Sequence, residues 1–391
     1  MIVLIIILII SSIGWLYILC RLLNRLAALS DRWISLTIFG GVFLFLTPFL
    51  FVFWFLELNF SVSGLISFNF REILNHNFYS FIFILIGFIA FSGELVRRKI
   101  IKKFKVRSID KICRHQSTRN INCGNYFPKK SFWKYIYKIA SMIPGNKINE
   151  FYLHIYKISF PGKFNSRLRI IHLTDIHFVK RISPEYYERI VSAVNECNAD
   201  LILFTGDFLQ NADMVLYLKP IFSKLKAKFG IFFVCGNHDI WHKRTHEKTT
   251  VNMLEEIGFI HLNGKIKLVE INDEKIYVAG TEQPWIKDDI VDKLAVLPDN
   301  SFVVLLSHTP DNIYKIPLKN IKLVLSGHTH GGQNALPGLG PLIIPSKHGS
   351  AHAAGFIKVK DSILYISRGV ALHHPLRMMC PLEIACIDTI K

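Results

Sequence analysis

The chain has 391 residues, of which 51% are hydrophobic, and this length allows one large domain or two smaller ones with an ample core. Its net charge of +18 comes mainly from residues 97–147, which hold fifteen basic side chains against one acidic side chain. Because that basic segment directly follows a hydrophobic one, the pattern is typical of a protein at a membrane surface and argues against a nucleic-acid-binding protein.

The first 96 residues contain candidate membrane spans. Residues 2–20 are uncharged and long enough to cross a bilayer as a helix, and residues 34–56 form a second uncharged span. A third apolar run, from residue 78 to about residue 93, is shorter and would use its flanks or lie partly in the interface. A signal peptide is the competing interpretation, but Leu19-Cys20-Arg21 offers no small-residue cleavage site. We therefore predict a transmembrane region with two to three helices over residues 1–96.

The loops between these spans predict the orientation of the chain. The first loop contains three arginines and the second contains one, whereas residues 97–107 contain seven lysines and arginines. Because cytoplasmic loops carry the excess of basic side chains, we expect the N-terminus outside and everything after residue 97 in the cytoplasm. Seven cysteines without paired close spacing agree with a reducing compartment. The prediction is a multi-pass protein of the inner, cytoplasmic membrane.

Residues 97–150 form a basic, membrane-proximal segment. Aromatic and aliphatic side chains recur between Phe132 and Ile143 and alternate with lysines. Such a stretch is suited to lie on anionic lipid headgroups. A helix that packs on a globular domain with its lysines in solvent explains the pattern equally well, and the sequence leaves both interpretations open.

From residue 151 the sequence changes to short apolar runs, which predict buried strands. The predicted strands are residues 169–174, 201–204, 231–234, 302–306 and 323–325. Between the first two lies a helix signal, with Ser183 as N-cap and Pro184 at the first helical position, extending to about Cys197. Strand, helix and strand in this order predict a layered α/β domain over residues 151–391.

A polar cluster directly follows each of these strands. The clusters are Asp175-Ile-His177, Gly206-Asp207, Gly236-Asn237-His238-Asp239, Ser307-His308 and Gly327-His328-Thr329-His330. Ligands bind to α/β sheets at the carboxyl ends of the strands, so we expect the five clusters to meet in one crevice. Glycines flank the two histidines of the last cluster and allow the backbone to turn both rings toward one ion.

The side chains in these clusters indicate the chemistry. Seven of them are candidate ligands, and these two aspartates, four histidines and one asparagine, without cysteine, are suited to Mn, Fe, Zn or Mg rather than to a structural thiolate zinc site. Seven ligands are too many for one ion, but a carboxylate can bridge two. Two ions roughly 3.5–4 Å apart can clamp a phosphoryl group and lower the pKa of a shared water. The sequence therefore predicts a two-metal hydrolase, and we favour Mn among the candidate ions.

The five motifs in this order resemble the calcineurin-like metallophosphoesterase family, over about residues 155–391. The resemblance implies a two-sheet β-sandwich flanked by helices, with residues 265–271, 275–279, 355–359 and 363–367 in the second sheet. It also implies roles for nine side chains. Asp175, His177 and His330 would hold the first metal, Asn237, His308 and His328 the second, Asp207 would bridge both, and His238, steadied by Asp239, would be an acid near the leaving oxygen. A carboxylate at the far ring nitrogen of a histidine sets the tautomer, which gives the last pairing a physical reason.

Within the family, the chain is similar to membrane-anchored bacterial phosphoesterases, including those that act on UDP-2,3-diacylglucosamine in lipid A synthesis. The resemblance lies in the apolar N-terminus, the Gly-Gly-Gln that follows His330, and an ending from Arg377 to Pro381-Leu382-Glu383 similar to the Arg…Pro-Pro-Glu of those enzymes. Leu382 replaces the second proline, and Phe178-Val179 stands where Leu-Gly often follows the first histidine. Neither departure touches an expected ligand.

The resemblance implies cleavage of the pyrophosphate bond of a lipid-linked nucleotide, with lipid monophosphate and UMP as products. Lys243, Arg244 and Lys347 are candidates to bind a second phosphate, because a pyrophosphate carries more charge than the metals alone offset. Solvated surface side chains explain these three residues equally well. Alternative functions are a general phosphodiesterase on phospholipid or cyclic nucleotide, and a non-catalytic membrane scaffold or nucleic-acid tether.

Overall fold

The computed structural model describes residues 2–27, 82, 84–97, 112–121, 131–160, 166–241, 244–271, 273–336, 340–341 and 343–390. The chain divides into two compact units. Met1–Val106 and Leu342–Gly349 form the first, called here the helical unit. Arg107–Pro341 and Ser350–Lys391 form the second, called here the sheet unit.

The helical unit contains helices α1 (Ile2–Ala27) and α2 (residues 84–97). They cross at two glycines, where a Cβ added to Gly14 would lie 1.7 Å from the carbonyl oxygen of Gly87. Only glycine permits such a close approach of two helix backbones. Near the other end of α1, Arg21 donates a 2.7 Å hydrogen bond to the buried carboxylate of Glu94. The two helices thus pack through small residues and one ion pair.

The predicted membrane spans fall partly within these helices. α1 covers the first span and α2 overlaps the third, whereas residues 34–56 lie outside the described residues. Counting only positions whose side chains the structure describes, no helix is long and apolar enough to cross a membrane.

The sheet unit contains two large mixed sheets, as expected for an α/β sandwich. The seven-stranded sheet contains, from one edge to the other, β1 (Cys113–Asn120), β2 (Phe151–Ser159), β15 (Leu382–Ile390), β3 (Arg169–Leu173), β4 (Leu201–Phe204), β5 (Ile231–Phe233) and β6 (Ile260–His261). β3, β4, β5 and β6 are parallel, while β15 is antiparallel to β3. The central strands are short and buried, as their continuous apolar sequences predict.

The six-stranded sheet contains, from one edge to the other, β13 (Gly355–Val359), β14 (Ser362–Ile366), β10 (Ile321–Ser326), β9 (Phe302–Ser307), β8 (Glu274–Thr281) and β7 (Ile266–Ile271). The four strands that the family resemblance implied for a second sheet are all present in it. A further pair, β11 (Ala335–Leu336) and β12 (Gly340–Pro341), forms a small antiparallel ribbon. β8, β9, β10 and β14 are parallel, so this sheet also presents a shared carboxyl edge.

The core lies in layers on both sides of the two sheets. Apolar side chains from the inner faces of both sheets, among them Leu203 of β4 and Leu325 of β10, form one buried cluster between them. A second cluster lies between the seven-stranded sheet and its helices, and a third covers the outer face of the six-stranded sheet. This arrangement is the two-sheet α/β sandwich with external helices that was predicted.

The helices of the sheet unit are short. They are α3 (Trp133–Ser141), α4 (Pro184–Asn195), α5 (Leu218–Phe222), α6 (Asn237–Trp241), α7 (Arg244–Glu256) and α8 (Ile290–Ala295). The described residues also form 3-10 helices at Ala212–Tyr217, Pro310–Tyr314, His330–Gly332 and Gly349–His352. α4 begins with Ser183 as N-cap and Pro184 in the first turn, as predicted, and ends two residues before the expected Cys197.

The sheet unit begins earlier in the chain than the predicted boundary at residue 151. β1 pairs antiparallel with β2 and forms the edge of the seven-stranded sheet, so part of the basic segment at residues 97–150 belongs to the fold. In α3, Tyr137 and Ala140 are buried, and the Tyr137 hydroxyl donates a hydrogen bond to the carbonyl of Leu372. Strand pairing decides this boundary, and the polar sequence of β1 shows no apolar alternation from which it could be predicted.

Candidate metal centre

The polar clusters meet where the carboxyl edges of the two sheets come together. β3, β4 and β5 of the seven-stranded sheet and β9 and β10 of the six-stranded sheet lead into them. The sequence predicted one crevice at the ends of strands, and the structure forms it from two sheets. Two groups of side chains have ligand atoms within 4.8 Å of one another. They are Asp175, His177, Asp207 and His330, and Asp207, His308 and His328.

The first group contains two carboxylates and two imidazoles. Nε2 of His177 lies 3.3 Å from Oδ2 of Asp207 and 3.9 Å from Oδ1 of Asp175. Nε2 of His330 lies 3.3 Å from the same Oδ1 of Asp175. The two carboxylates and His177 are fully or almost fully buried. Four ligand atoms thus converge without bulk water between them.

The second group shares Asp207 with the first. Nε2 of His308 lies 3.3 Å from Oδ2 of Asp207 and 3.0 Å from Oδ1 of Asn237. The ring of His328 lies 4.9 Å from the ring of His308, measured between centroids. Asp207 therefore belongs to both groups, which is the position of a bridging carboxylate.

The backbone at the strand ends has positive φ angles, which turn the candidate ligand side chains toward one another. Five of the candidate ligands have positive φ angles between 47° and 67°, a region that residues other than glycine rarely adopt. They are Asp175, His177, Asp207, His328 and His330. Gly236 is also required, since a Cβ there would lie 2.2 Å from Oδ1 of Asp207. The chain holds strained turns at these positions to direct the side chains into one space.

The donor set fits divalent ions. Nε2 of His177 is buried and has no hydrogen-bond partner among the described residues, although it faces two carboxylates. A buried nitrogen without a partner costs free energy unless an ion or water completes it. Carboxylate oxygens, an amide oxygen and imidazole nitrogens are suited to Mn, Fe, Zn or Mg. The residues present therefore fit the two ions that the sequence predicted.

Electrostatics in the centre also favour bound cations. Burial alone would raise the pKa of Asp207, but the neighbouring His308 and His238 hold that pKa well below its usual range. Burial would likewise lower the pKa of His308, whereas the charge and hydrogen bond of Asp207 raise it to about 9. Positive charge beside Asp207 is thus strongly stabilised. Divalent ions would supply that positive charge in place of the proton on His308, so metal binding and protonation of the histidine would compete.

Hydrogen bonds outside the ligand set orient the imidazoles. Nδ1 of His177 lies 2.8 Å from Oε1 of Gln210, and Nδ1 of His308 lies 2.5 Å from the carbonyl oxygen of Thr205. Each acceptor favours the tautomer with a proton on Nδ1 and leaves Nε2 as a lone-pair donor to an ion. Gln210 was not predicted as a site residue, because a glutamine three residues after Asp207 carries no recognisable signal.

Asp239 makes contacts that differ from the expectation that it steadies the ring of His238. Its carboxylate accepts hydrogen bonds from the backbone amides of Asp207, Phe208, Leu209 and Gly236. These four donors satisfy both oxygens. Asp239 therefore positions the loop that carries Asp207. His238 contributes a backbone amide, which donates a 2.9 Å hydrogen bond to Oδ1 of Asp207, and its ring lies 4.7 Å from that of His177.

Two aromatic residues near the centre were not identified from the sequence. The ring of His373 lies 4.4 Å from that of His177 and 5.5 Å from that of His330. The ring of Trp285 lies 5.5 Å from that of His308. The tandem His373-His374 after the predicted strand at residues 363–367 was the available signal for the first. Nothing in the local sequence distinguishes Trp285 from a core aromatic residue.

The C-terminal motif is structural in this fold. Arg377 is fully buried and donates hydrogen bonds to the carbonyl oxygens of Arg368, Ala371 and Cys380. A guanidinium that is satisfied by backbone acceptors is not available to a substrate. Arg377 thus holds together the segment that contains His373.

The structure describes the candidate substrate residues only in part. Lys243 and the side chain of Arg244 lie outside the described residues, although α7 begins at Arg244. Lys347 is exposed and belongs to the helical unit. Their assignment to substrate binding stays a prediction.

Two overlapping groups of carboxylate and imidazole ligands at the joined edges of a two-sheet sandwich define a metal-dependent hydrolase of phosphoesters. Comparison with known proteins agrees, since residues 168–332 match the calcineurin-like phosphoesterase family. The chain belongs to that family. The resemblance noted in the sequence is thereby confirmed at the level of the family.

The chain is similar to several proteins that carry the metallophosphoesterase name. It is 32% identical to the uncharacterized metallophosphoesterase YkuE of Bacillus subtilis, over 57% of this chain and 79% of that protein. It is 32% identical to an uncharacterized metallophosphoesterase of Helicobacter pylori, over 57% of this chain and 60% of that protein. It is 26% identical to the transmembrane protein with metallophosphoesterase domain of Danio rerio, over 64% of this chain and 59% of that protein. The match thus spans about three-fifths of the last two proteins.

Proposed function

We propose that this protein is a membrane-bound phosphoesterase that uses two divalent ions to cleave the pyrophosphate bond of a lipid-linked nucleotide. The substrate that we favour is UDP-2,3-diacylglucosamine, and the products would be the lipid monophosphate and UMP. The observation that carries the proposal is the position of Asp207, whose carboxylate belongs to both ligand groups.

Seven side chains would hold the ions. Asp175, His177 and His330 would hold the first ion, Asn237, His308 and His328 would hold the second, and Asp207 would be shared by both. When bound, two ions stabilise the charge that develops on a phosphoryl group and lower the pKa of water at the centre. Asn237 is a neutral ligand, so it leaves its ion more electrophilic than a carboxylate would.

His238 is the candidate proton donor to the leaving oxygen. Its backbone amide anchors it on Asp207, and its ring lies against that of His177 at the edge of the first ligand group. A side chain at this position can reach a phosphoester held by the ligands without being one of them. General acid catalysis of this kind contributes typically 10² to 10⁴ in rate.

The membrane association rests on three features. Many exposed side chains of α1 and α2 are apolar, and Ile6, Leu85, Phe88 and Ile89 are each 42% exposed or more. Exposed apolar side chains concentrated on two helices favour contact with lipid. In the sheet unit, the N-cap Phe132 and the α3 side chains Tyr135 and Ile139 are exposed beside the lysines of that helix. One relative also carries the name of a transmembrane protein with this domain.

The choice of a lipid-linked substrate follows from that association. An anchored enzyme gains most when its substrate is confined to the same bilayer, whereas a soluble nucleotide needs no anchor. The apolar N-terminus and the ending from Arg377 to Glu383 resemble the enzymes of lipid A synthesis.

Product analysis tests the proposal. The full-length protein, kept in detergent or in native membranes, is incubated with Mn or Mg and with four substrates in parallel. They are UDP-2,3-diacylglucosamine, a phospholipid, a cyclic nucleotide and bis-p-nitrophenyl phosphate. We expect UMP and lipid monophosphate from the first, with no activity in the Asp207→Asn protein. Turnover of the phospholipid or the cyclic nucleotide, but not of UDP-2,3-diacylglucosamine, would indicate a general phosphodiesterase instead. Absence of turnover with all four substrates would favour a non-catalytic scaffold.

A separate measurement tests the orientation. Alkaline phosphatase fused after Lys391 is active only on the periplasmic side, and we expect no activity from it. A green fluorescent reporter at the same position serves as the matched cytoplasmic control and should be bright. Active phosphatase there would overturn both the cytoplasmic placement and the choice of a cytoplasmic lipid precursor as substrate.

A further inference from the structure

A third cluster of metal-binding side chains lies outside the centre described above. It consists of Cys235, His261 and Glu282, whose ligand atoms are all within 4.8 Å of one another. Cys235 follows β5, His261 ends β6, and Glu282 follows β8 of the other sheet. The cluster therefore uses the same joined sheet edges as the dinuclear centre, but none of its residues belongs to the seven expected ligands.

The carboxylate of Glu282 is incompletely satisfied. Its Oε1 accepts hydrogen bonds of 2.6 Å from the backbone amide of Cys235 and 2.6 Å from Nε2 of His261. Its Oε2 is buried and has no hydrogen-bond partner among the described residues. The whole residue is 0% exposed, so water cannot compensate from the surface. A buried carboxylate oxygen without a partner is costly, and a cation beside it removes that cost.

The other two residues supply complementary ligand atoms. Cys235 is fully buried and forms no disulfide, and the side chain of His261 is 11% exposed. The ring of His261 stacks on Phe233 at 4.9 Å, which fixes its orientation beside Glu282. His261 pairs with Phe233 in the parallel register of β5 and β6, so the sheet itself places the imidazole. Of the three residues, His261 is the one whose side chain reaches solvent.

We propose that Cys235, His261 and Glu282 form a third metal site, selective for zinc. A thiolate, an imidazole and a carboxylate are all zinc ligands, and three protein ligands leave a fourth position for water. Ligand atoms around one tetrahedral zinc lie roughly 3.3–3.6 Å apart, so small side-chain rotations from the present arrangement suffice. The thiolate distinguishes this site from the dinuclear centre, because Mg and Mn prefer oxygen and nitrogen ligands.

Binding exchanges protons for the ion. The Cys235 thiol would release its proton to solvent, and the His261 ring would exchange its Nε2 proton for one on Nδ1, so that Nε2 binds the ion as a neutral imidazole. The hydrogen bond between His261 and Glu282 would then be replaced by two bonds to zinc. The backbone hydrogen bond from Cys235 to Oε1 of Glu282 can remain. Because Cys235 stands two residues before Asn237, an ion here also fastens the segment that leads into the dinuclear centre.

Cobalt substitution tests the site. A bond between cobalt and thiolate absorbs in the near ultraviolet, and the dinuclear centre contains no cysteine, so this band reports only the proposed site. The full-length protein is stripped of metal and titrated with Co²⁺, followed by displacement with Zn²⁺. We expect the band in the wild-type protein, its loss in Cys235→Ser, and its retention in Cys197→Ser, a matched buried cysteine outside the cluster. Glu282→Gln should weaken cobalt binding at least about tenfold.

The test of the third metal site does not depend on the proposed phosphoesterase function. The band should persist in Asp207→Asn, which disables the dinuclear centre, and its presence does not depend on turnover of any substrate. If Cys235→Ser does not fold, as judged by circular dichroism of the metal-free protein, the titrations of Glu282→Gln and His261→Asn decide. Absence of the band in folded wild-type protein, or its survival in Cys235→Ser, would overturn the third site.

Discussion

The carboxylate of Asp239 accepts a 2.8 Å hydrogen bond from the backbone amide of Asp207. Asp207 follows β4 and Asp239 lies in α6, so this bond joins two of the loops that build the metal centre. Asp239, which belongs to neither ligand group, thereby positions the side chain of Asp207 in both.

Asp239→Asn should lower metal content and activity together. An asparagine offers one acceptor oxygen where the carboxylate offers two, so backbone amides around Asp207 lose their partners. Each buried amide left unsatisfied costs roughly 1–3 kcal/mol. We expect a lower unfolding temperature and fewer than two ions per chain by mass spectrometry. Asp200→Asn is the matched control, since Asp200 accepts a backbone amide from Arg169 away from the centre. Full metal content in Asp239→Asn would refute the positioning role.

Asp207→Asn should abolish activity more completely than His238→Ala. The first substitution removes the negative charge that holds two dications against mutual repulsion, whereas the second removes a proton donor worth roughly 10² to 10⁴ in rate. Metal content separates the two cases, and it should fall only in Asp207→Asn. His352→Ala, a buried histidine outside the ligand groups, is the control for histidine deletion. Two ions and near-normal turnover in Asp207→Asn would disprove the bridging role.

Compared with wild type, Glu383→Gln should lower the free energy of unfolding at neutral pH, and this difference should shrink at acid pH. Burial raises the pKa of Glu383, but the charge and backbone amide of Arg368 outweigh it and hold that pKa below 4.5. Because the pKa of Glu383 is lower in the folded state than in the unfolded state, the ionised carboxylate stabilises the fold at any pH above the unfolded pKa. This contribution disappears as the pH falls through the folded pKa. We expect a loss of roughly 1–3 kcal/mol at pH 7, measured by thermal unfolding.

The same measurement has a matched control in Glu196→Gln. Glu196 forms an ion pair with Arg119, and both side chains are about half exposed. Exposed pairs contribute little because solvent screens them, so this substitution should leave the free energy of unfolding nearly unchanged at either pH. A Glu383→Gln deficit that stays constant across the whole acid range, with no decrease as the pH falls, would show that the charge of Glu383 is not the cause.

Lys243→Ala combined with Arg244→Ala should distinguish substrate binding from a solvated surface. If these residues bind the remote phosphate, turnover of a lipid-linked nucleotide pyrophosphate should fall strongly while hydrolysis of bis-p-nitrophenyl phosphate stays nearly unchanged. Lys347→Ala is tested in the same way. Lys319→Ala, which removes an exposed lysine that pairs with Asp299, is the control. Equal loss on both substrates, or no loss on either, would remove these residues from the binding site.

Local sequence predicted much of the metal centre. Each ligand motif follows an apolar strand directly, so chain connectivity alone places Asp175, Asp207 and His308 at strand ends. The composition of the motifs indicated hard to borderline ions, and the flanking glycines indicated close backbone approach, as at Gly236. These properties depend on neighbours in the sequence, and short apolar runs followed by polar residues are readable without a structure.

Other features were decided only by the pairing of distant segments. β15 pairs with β2 and β3, which lie more than two hundred residues earlier in the chain, and no local pattern encodes that pairing. The same holds for Asp239, whose four amide donors come from two loops, and for His373, which reaches His177 from the C-terminal segment. Hydrogen-bond partners of this kind are chosen by register and packing.

The sequence by itself determined the identity and order of the candidate metal ligands, because each one is tied covalently to the end of a buried strand. The tertiary structure decided that two sheets rather than one supply them, and it brought Cys235, His261 and Glu282 together from β5, β6 and β8. The physical reason is that burial and hydrogen bonding across two sheets couple residues by distance in space. A linear pattern records only distance along the chain.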